Sequence, residues 1–532
     1  MVGSTDESAS RAGLQVLQQG GNAVDAAAAV GFALAVTYPA AGNLGGGGFM
    51  VIRMADGRET TIDYREKAPA RAHRDMFLDD AGQLIPDLSV VGPMAAGVPG
   101  SVAGMALAQR TYGRLPLAAV VAPAIALARD GFEVSWALAD SLNSALGLLA
   151  KSPSSARAFR RADGTMPGPG DRLVQPELAN TLTLIAEQGP DAFYTGPIAE
   201  LIAAEMSRSG GLITKSDLAA YTPRERPPVV GSYRGHRVVS MPPPSSGGIG
   251  LVQLLNILET FPLADYGHNS SRSIHLVAEA ARRVYADRSE WLGDPAFFDV
   301  PVAGLLSRRY ADQLRSGISE TRATSSRDVK PGHPRNFEQS QTTHYSVVDA
   351  DGNAVATTTT LNGTYGNGQM VTGGGFLLNN EMDDFSAKPG VPNMFGLVGG
   401  EANAVGPGKR MLSSMTPTIL VKDGKTRLVV GSPGGSRIIT TVLQVVLNIV
   451  DFKMDVQEAV DAPRFHHQWL PDVIRLERQG FPADVVTALE AMGHATVVGA
   501  DMGDVHAIMI DQATGLRLGA SDPRLNGRTL GY

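Results

Sequence analysis

Hydroxyl groups that could act as nucleophiles are concentrated in the segment Thr342 to Asn362, which reads TTHYSVVDADGNAVATTTTLN. The pair Asp351-Gly352 favours a tight turn, so this segment is predicted to form a β-hairpin. Such a hairpin places Thr343 opposite Thr360, with Thr342 within one residue of it, and cross-strand side chains are about 5 Å apart. Two oriented hydroxyls could support nucleophilic chemistry. An ordinary strand pair is the alternative, because threonine is a favoured strand residue.

A second segment offers backbone N–H groups. The apolar run Leu428 to Val430 leads into the turn GSPGGS, which contains Gly434 and Gly435, and a helical pattern follows from Arg437 to Val450. Free N–H groups at the start of a helix can stabilise an oxyanion that develops during amide cleavage. A common strand-to-helix connection would show the same pattern, since glycine turns are frequent.

Several other chemistries are excluded or disfavoured by residue type. The chain has no cysteine, which excludes disulfides, thiolate metal sites and a cysteine nucleophile. His466 and His467 point apart on a helix or a strand, and no third ligand follows at a zinc-like spacing, so no metal is expected. The glycine run 45–48 does not complete a dinucleotide-binding fingerprint, so no cofactor is expected.

Composition limits the partners. The 532 residues carry a formal net charge of −7 with scattered basic residues, so nucleic acid is not an expected partner. The most apolar stretch, Ala26 to Val36, is shorter than the roughly 20 residues that span a bilayer, and we predict a buried helix there instead of a membrane segment. The N-terminus lacks the pattern of a signal peptide, so we expect either a cytosolic protein or one whose signal lies outside this chain.

The elements that must position these groups differ between the two halves of the chain. From residue 1 to about 317, helical patterns alternate with glycine- and proline-rich breaks, so this half is predicted to be mostly helical. The helical patterns cover Ser101–Tyr112, Ala118–Asp130, Pro176–Gln188 and Ser273–Trp291. From Thr342 onward, β-branched runs joined by turns such as Asp423-Gly424 predict hairpins. Residues 318–341 contain few apolar side chains, and we predict a mobile, exposed segment there.

Several long motifs together resemble the γ-glutamyltranspeptidase family of N-terminal-nucleophile hydrolases. They are GGNAVDAAAAVGFALAV, NLGGGGFM, YREKAPA, TTHYSVVDADGNAVA, LLNNEMDDFSAKPGVPN, LSSMTPT, GSPGGSR, APRFHHQWLP and GASDPR. They follow the order and spacing of the family and cover effectively the whole chain. The resemblance implies an α/β (α+β) fold, specifically a four-layer αββα sandwich.

The resemblance also implies processing. Members of the family are made as precursors that cleave themselves before a threonine, which here places the cut between Gln341 and Thr342. Residues 1–341 would form a large subunit and residues 342–532 a small one, and the two fragments would remain together as a heterodimer. An N-terminal threonine carries its own general base, because its α-amino group has an ordinary pKa near 8.

By the same resemblance, Thr342 is the nucleophile, Thr360 orients it, and Gly434 and Gly435 form the oxyanion hole. The substrates would be glutathione or other γ-glutamyl amides, and water or an amino acid or dipeptide would resolve the γ-glutamyl-enzyme. The positions that match donor-binding residues of the family are Arg65, Asn362, Glu381, Asp384, Ser413 and Ser414.

A γ-glutamyl group presents an α-carboxylate and an α-ammonium group. The resemblance implies that Arg65 and the two serines bind the carboxylate, while the two acidic residues and the asparagine bind the ammonium group. An exposed acidic turn at Glu381 and Asp384, and a surface ion pair at Arg65, are the alternative interpretations.

Residues 389–400, PGVPNMFGLVGG, resemble the lid loop of the family. Phe395 departs from the tyrosine of many lidded relatives, whose hydroxyl reaches the asparagine that matches Asn362. We therefore expect a looser lid in this chain. Family analogy further suggests a periplasmic or secreted location.

Three other functions remain open at this point. A γ-glutamyl hydrolase with little transfer activity, or a glutaryl (cephalosporin) acylase, would use the same scaffold and nucleophile. Asp384 favours a γ-glutamyl substrate, because a glutaryl group has no ammonium for this carboxylate to bind. An uncleaved, inactive precursor that serves as a binding protein is the third alternative.

Overall fold

The computed structural model describes residues 1–161, 163–337 and 347–532. Thr342 and the proposed cleavage position before it lie outside the described residues. The fold is of the mixed α/β kind that the sequence predicts.

The strands of the described residues are β1 (Val2–Ser4), β2 (Gly47–Arg53), β3 (Glu59–Tyr64), β4 (Phe132–Glu133), β5 (Arg172–Leu173), β6 (Arg224–Arg226), β7 (Val229–Tyr233), β8 (His236–Ser240), β9 (Ala354–Thr360), β10 (Thr418–Lys422), β11 (Lys425–Gly431), β12 (Phe465–His466), β13 (Ile474–Glu477), β14 (Thr496–Gly499), β15 (His506–Ile510), β16 (Arg517–Ser521) and β17 (Arg528–Leu530).

The α-helices of the same residues are α1 (Glu7–Gln18), α2 (Ala23–Thr37), α3 (Ser101–Tyr112), α4 (Leu117–Asp130), α5 (Trp136–Ser144), α6 (Leu146–Leu149), α7 (Pro153–Ala158), α8 (Pro176–Gln188), α9 (Asp191–Tyr194), α10 (Pro197–Ser209), α11 (Lys215–Ala219), α12 (Gly247–Leu258), α13 (Leu263–Tyr266), α14 (Ser271–Trp291), α15 (Val302–Leu306), α16 (Arg308–Ser316), α17 (Ile438–Val450), α18 (Val456–Asp461) and α19 (Ala483–Ala491).

Two antiparallel sheets organise the molecule. One has the strand order β6-β3-β2-β9, and the other has the order β16-β15-β11-β10-β8-β7. Helices α2 and α3 pack against the first sheet, while α12 and α17 pack against the second. Smaller pairings join β1 to β17 and β4 to β5. A three-stranded sheet has the order β12-β13-β14.

Both large sheets combine strands from before and after position 342. The predicted helices of the first half are confirmed, and α3 and α8 have the predicted bounds. The prediction of a mostly helical first half was nevertheless incomplete, because β2, β3 and β6 enter one sheet and β7 and β8 enter the other. The two halves of the chain are therefore joined by backbone hydrogen bonds within each sheet.

Strand β2 begins with glycines because its neighbours approach closely. A Cβ atom on Gly48 would lie 2.5 Å from the carbonyl oxygen of Thr358 on β9 and 2.8 Å from the ring of Tyr64 on β3. Any side chain there would separate the strands. The same strand pairs Gly48 with Tyr64 and Gly47 with Thr360, so the ends of β3 and β9 lie at one end of the sheet.

Helix α2 shows why the most apolar part of the chain folds as it does. The Asn22 side chain accepts hydrogen bonds from the N–H groups of Val24 and Asp25, and the Asp25 carboxylate accepts one from the Asn22 N–H at 2.9 Å. This capping box starts the helix. The predicted buried helix is confirmed. No helix within residues 1–161, 163–337 and 347–532 is long and apolar enough to cross a membrane.

Of the two predicted hairpin turns, one is confirmed and one is shifted. Asp423 and Gly424 both have positive φ, 50° and 74°, and connect β10 to β11 as a type I′ turn requires. At the other turn, Val348 pairs with Ala354, one residue out of the predicted register. The Asp349 carboxylate accepts from the backbone N–H and the side-chain amide of Asn353, and the Asp349 N–H donates to the Asn353 carbonyl. These bonds close a longer turn than the two-residue loop that was predicted. Thr343, the predicted hairpin partner of Thr360, lies outside the described residues.

Most of residues 318–337 are exposed or half-buried, as predicted, and only Ser326, Val329 and Pro334 are buried; the mobility of this segment stays a prediction. This segment contains no helix or strand except a 3₁₀ turn at its end, but its backbone is bound to the protein body. Ser326 is buried, and its N–H donates to Asp472 at 2.7 Å. The indole of Trp469 donates to the Ser326 carbonyl at 2.9 Å. Polar contacts thus attach this segment to the protein body, although it contains few apolar side chains.

The packing of α3 on β3 generates a prediction about Gly104. A Cβ atom on Gly104 would lie 2.2 Å from the Tyr64 ring, so Gly104→Ala must displace that ring and the following residue, Arg65. Overpacking typically costs about 1–3 kcal/mol, which is about 1–3 °C of Tm for a chain of this length. Gly147→Ala in α6 is the matched control, because a Cβ there meets nothing within 4 Å. Differential scanning fluorimetry should show a lower Tm for Gly104→Ala alone; equal Tm changes in both variants would contradict the packing argument.

Candidate active site

The predicted site residues, apart from Thr342, which lies outside the described residues, gather around one cavity of about 280 Å³. The cavity is lined by Arg65, Thr360, Asn362, Asp384, Phe395, Ser413, Ser414, Gly434 and Gly435. Glu381 is the remaining predicted residue; it does not line the cavity but contacts Arg65. The structure therefore brings the set together, while the role of each residue stays a prediction.

Arg65 lies at the base of the cavity and is completely buried. Its Nη2 donates to Asp384 Oδ2 at 2.5 Å, and its Nη1 lies 2.6 Å from Glu381 Oε2. A third carboxylate, that of Glu66, is 3.6 Å from Nη1. The alternative of a surface ion pair is therefore wrong. The cation and the carboxylates that were expected to bind opposite ends of a substrate contact each other here.

A single 3₁₀ turn, Glu381–Asp384, presents two carboxylates to Arg65. Side chains three residues apart lie on the same face of a 3₁₀ helix, so Glu381 and Asp384 point in the same direction. Met382 and Phe385, also three residues apart, pack into a small apolar cluster with Met411 and others. The alternation of acidic and apolar residues thus fixes both acids on the arginine.

Burial and charge compete in this cluster. Burial raises the pKa of Glu66 to about 7, although Arg65 opposes the shift. Burial likewise raises the pKa of Glu381 well above its usual range, and raises that of Asp384. Neither oxygen of Glu66 or of Glu381 has a hydrogen-bond partner among the described residues. Three carboxyl groups therefore surround one arginine, and of the three only Asp384 lines the cavity.

Thr360 and Asn362 stand at the end of β9. The Thr360 hydroxyl oxygen accepts from the Asn362 N–H at 2.7 Å, which leaves its own hydrogen for another acceptor. Asn362 has a positive φ of 73°, which asparagine tolerates better than most residues. Its amide donates to the Asn380 carbonyl at 3.0 Å.

The glycine turn lies at the edge of the cavity, and its role as an oxyanion hole stays a prediction. Gly434 and Gly435 both have positive φ, 136° and 57°, and a 3₁₀ turn from Gly435 leads into α17. Among the described residues, nothing accepts a hydrogen bond from the N–H of either glycine. Two free donors therefore border the cavity beside the end of β9.

The predicted lid loop, residues 389–400, lines one side of the cavity with Met394, Phe395 and Leu397. A Cβ on Gly435 would lie 2.5 Å from the Phe395 ring, so this ring covers the glycine turn. Asn362 reaches the lid at the sulfur of Met394, 3.7 Å away. Gln468 Nε2 donates to the Phe395 and Gly396 carbonyls at 3.3 and 3.0 Å. Whether the lid is looser, as predicted from Phe395, stays a prediction.

Sequence reasoning missed several residues that the geometry brings to the site. Glu66 was inside the quoted YREKAPA motif but was given no role. Arg288 on α14 donates to Ser414, and Asn393 Nδ2 contacts Asp384 Oδ1 at 3.3 Å. Glu66 and Asn393 both stand in quoted motifs, YREKAPA and LLNNEMDDFSAKPGVPN, whereas Arg288 stands in a stretch that reads as an ordinary helix.

The two adjacent histidines have separate polar partners. His466 contacts Thr440 and Gln468, whereas His467 contacts Asp472 at 3.3 Å. Burial lowers the pKa of His466 to about 3. These side chains are satisfied within the protein.

Two solved structures place the fold in a class. The cephalosporin acylase from Bacillus halodurans has a TM-score of 0.87 at 29% sequence identity, covering 100% of this chain and 96% of that one. The γ-glutamyltranspeptidase of Helicobacter pylori has a TM-score of 0.62 at 46% identity, covering 64% of this chain and 97% of that one. Both are N-terminal-nucleophile hydrolases, and this chain has their mixed α/β fold.

The sequence narrows the class to a family. The family model described as Gamma-glutamyltranspeptidase matches residues 9–532. A glutathione hydrolase proenzyme of Escherichia coli (strain K12) is 56% identical over 533 residues, covering 100% of this chain and 92% of the relative. The chain belongs to the γ-glutamyltranspeptidase family and is an enzyme.

The carboxyl cluster predicts a pH-dependent effect on stability. A carboxyl group whose pKa is higher in the folded protein than in the unfolded chain destabilises the fold as pH rises between the two values, here from 4.5 to about 7 for Glu66. Glu66→Gln removes that loss. We expect its Tm to exceed that of the wild type by about 1–3 °C at pH 8, with little difference at pH 5. Glu187→Gln, at an exposed position on α8, should change neither value. A Tm gain of the same size at both pH values would argue against burial of the charge as its cause.

Proposed function

We propose that this enzyme is a γ-glutamyltransferase and glutathione hydrolase. The observation that carries the proposal is the buried pair of Arg65 and Asp384 in the wall of a cavity that also holds free amide donors. A zwitterionic γ-glutamyl head can replace this pair contact, because its carboxylate matches the arginine and its ammonium matches the acid. Family membership and the proenzyme relatives support the same assignment.

The proposed reaction uses the N-terminus that cleavage creates. Thr342 Oγ attacks the γ-carbonyl carbon and transfers its proton to the α-amino group, which passes it to the leaving amine. Thr360 would orient the nucleophile through its free hydroxyl hydrogen, and the N–H groups of Gly434 and Gly435 would stabilise the oxyanion. Water or an amino acid or dipeptide acceptor then releases the γ-glutamyl group. No metal or cofactor has a part in this scheme.

We further propose cleavage between Gln341 and Thr342 and a heterodimer of residues 1–341 with 342–532. The H. pylori chain covers 64% of this chain with 97% of its own length, and 341 of 532 residues is also about 64%. Strands from both sides of the cut share each large sheet, which would hold the fragments together.

The four-layer αββα arrangement is the fold that we propose for this heterodimer. Helices pack against each large sheet, and β9 of one sheet contacts β11 of the other, which supports two sheets packed face to face. A periplasmic or secreted location is proposed by family analogy, and fractionation of the native host would test it.

A glutaryl or cephalosporin acylase is the second candidate, favoured by the TM-score of 0.87 with the B. halodurans enzyme. Asp384 argues against it. A glutaryl group would neutralise Arg65 but leave the carboxylate of Asp384 uncompensated in a closed cavity. The discriminating experiment is therefore a substitution at this residue.

The first prediction of the proposal concerns Thr342→Ala, which should abolish both self-cleavage and turnover because one hydroxyl serves both reactions. Thr342→Ser should retain part of each, since serine keeps the hydroxyl. Denaturing electrophoresis reports cleavage, and release of p-nitroaniline from γ-glutamyl-p-nitroanilide, with and without glycylglycine, reports turnover. Complete two-chain processing of the alanine variant would remove Thr342 from the mechanism. A wild-type preparation that stays at 55.8 kDa would favour the inactive precursor.

The second prediction concerns Asp384→Asn, which keeps the shape of the side chain and removes its charge. We expect kcat/KM for the γ-glutamyl anilide to fall about 10- to 100-fold, which corresponds to about 1.4–2.8 kcal/mol, while activity on a glutaryl anilide rises. Both substrates are measured on wild type and variant after two-chain processing has been verified. A wild type that prefers the glutaryl anilide would support the acylase instead.

A further inference from the structure

A second buried arginine, Arg288, lies behind the serine wall of the cavity. It belongs to α14 and is 7% exposed. Its Nε donates to Ser246 Oγ at 2.9 Å, and its Nη2 donates to Ser414 Oγ at 3.1 Å. No carboxylate among the described residues forms an ion pair with it, whereas Arg65 contacts three. Arg288 is thus a buried cation with no carboxylate in ion-pair contact among the described residues, although the charge of Asp384 acts on it from farther away.

The direction of these hydrogen bonds decides what Ser414 can do. A guanidinium group has only donors, so Ser414 Oγ must be the acceptor in its contact with Arg288. Its own hydroxyl hydrogen is then free for the cavity that it lines. Ser413 Oγ likewise accepts from the Met415 N–H, at 3.1 Å. Both hydroxyl groups therefore offer a hydrogen to an anion in the cavity.

The same arginine also fixes the backbone of the serine pair. Ser246, which accepts from Arg288 Nε, donates its hydroxyl hydrogen to the Ser413 carbonyl at 2.6 Å. The Ser246 N–H donates to the same carbonyl at 2.8 Å. A chain of contacts thus runs from α14 through Ser246 to Ser413, and directly from Arg288 to Ser414.

Charge makes the arrangement selective. Arginine stays protonated at neutral pH, and a buried cation without a partner is unfavourable. A carboxylate on the serine hydroxyls would lie one hydrogen bond from Arg288 and would compensate its charge. An uncharged ligand group at the same place would not.

We infer that Arg288 is a positioning and specificity residue for the donor carboxylate, holding the Ser414 hydroxyl as a hydrogen-bond donor and adding a second positive charge behind it. This inference rests on the proposed function, because it assigns a carboxylate-bearing donor to the cavity. Arg65 and Arg288 would then bracket the carboxylate, one directly and one through serine.

Three small amides that differ by one charged group test the inference. L-Glutamine has both the carboxylate and the ammonium group, glutaric acid monoamide lacks the ammonium group, and 4-aminobutanamide lacks the carboxylate. Each is measured as a competitive inhibitor of γ-glutamyl-p-nitroanilide hydrolysis in wild type and in Arg288→Gln. The side chain that Arg288→Gln introduces keeps an amide donor for Ser414 but carries no charge.

We expect Arg288→Gln to raise the inhibition constants of L-glutamine and glutaric acid monoamide about 10- to 100-fold. That of 4-aminobutanamide should change less than about 2-fold. KM for the anilide should rise while kcat changes little, because the contact is made in the ground state as well as the transition state. Arg288→Lys keeps the charge but not the forked guanidinium group, so its inhibition constants should lie between those of the wild type and those of Arg288→Gln.

Arg282→Gln is the matched control. Arg282 is a buried arginine on the same helix, but its contacts are Glu279, Ser326 and Asp472. It should leave the ratios among the three amides unchanged, even where it lowers Tm. Two-chain processing and Tm are checked for every variant.

The outcomes distinguish a failure of the inference about Arg288 from a failure of the proposed function. Loss of affinity for all three amides by the same factor would overturn the inference, because a merely structural residue would have that effect. Absence of p-nitroaniline release from the processed wild type would instead defeat the proposed function. If Arg288→Gln does not fold, Ser246→Ala removes only one partner of Arg288 and should weaken the two carboxylate-bearing amides alone, by about 2- to 5-fold; equal weakening of 4-aminobutanamide would again overturn the inference.

Discussion

Strand β2 is the constraint on which the rest of the structure depends, because it hydrogen-bonds to β3 on one edge and to β9 on the other. This pairing brings the end of β3, which leads into Arg65, beside Thr360 at the end of β9. The two positions are almost 300 residues apart in the chain, and no local interaction could bring them together. Cleavage at the proposed site would leave these ladders intact, since both partners are buried strands of one sheet. The candidate site thus depends on backbone pairing between strands that precede and follow position 342.

The cavity that this pairing creates is surrounded by buried charges that are unevenly paired. Arg65 is shared among Glu381, Asp384 and Glu66, while Arg288 has no carboxylate of its own among the described residues. Buried charges of this kind seldom stabilise a fold, and removing one partner leaves the other uncompensated. A ligand with one positive and one negative group would relieve both imbalances together. The proposed preference for a zwitterionic donor follows from these two imbalances.

The sequence predicted the parts of the structure that local patterns encode. Helices α3, α4, α8 and α14 follow from periodicity, and the turn at Asp423-Gly424 follows from its residue types. The site residues came from the family resemblance, not from spacing. Strand β2 escaped prediction because it begins in a glycine run that reads as a loop, and its need for glycine arises from the close approach of β3 and of the distant β9. Arg288 escaped for a similar reason, since nothing local distinguishes a buried arginine of α14 from an exposed one.

The loop 389–400 makes contacts that the sequence does not reveal. Phe395 cannot donate the hydrogen bond that a tyrosine would, yet its carbonyl accepts from Gln468 and its ring covers Gly435. The neighbouring Met394 N–H donates to Asp383 at 3.1 Å, and Asn393 contacts Asp384. The lid is therefore fastened by its backbone and by one amide to the same acidic turn that contacts Arg65. Because Asp384 contacts both Arg65 and Asn393, a ligand ammonium that displaced Arg65 from this carboxylate would also act on the loop 389–400.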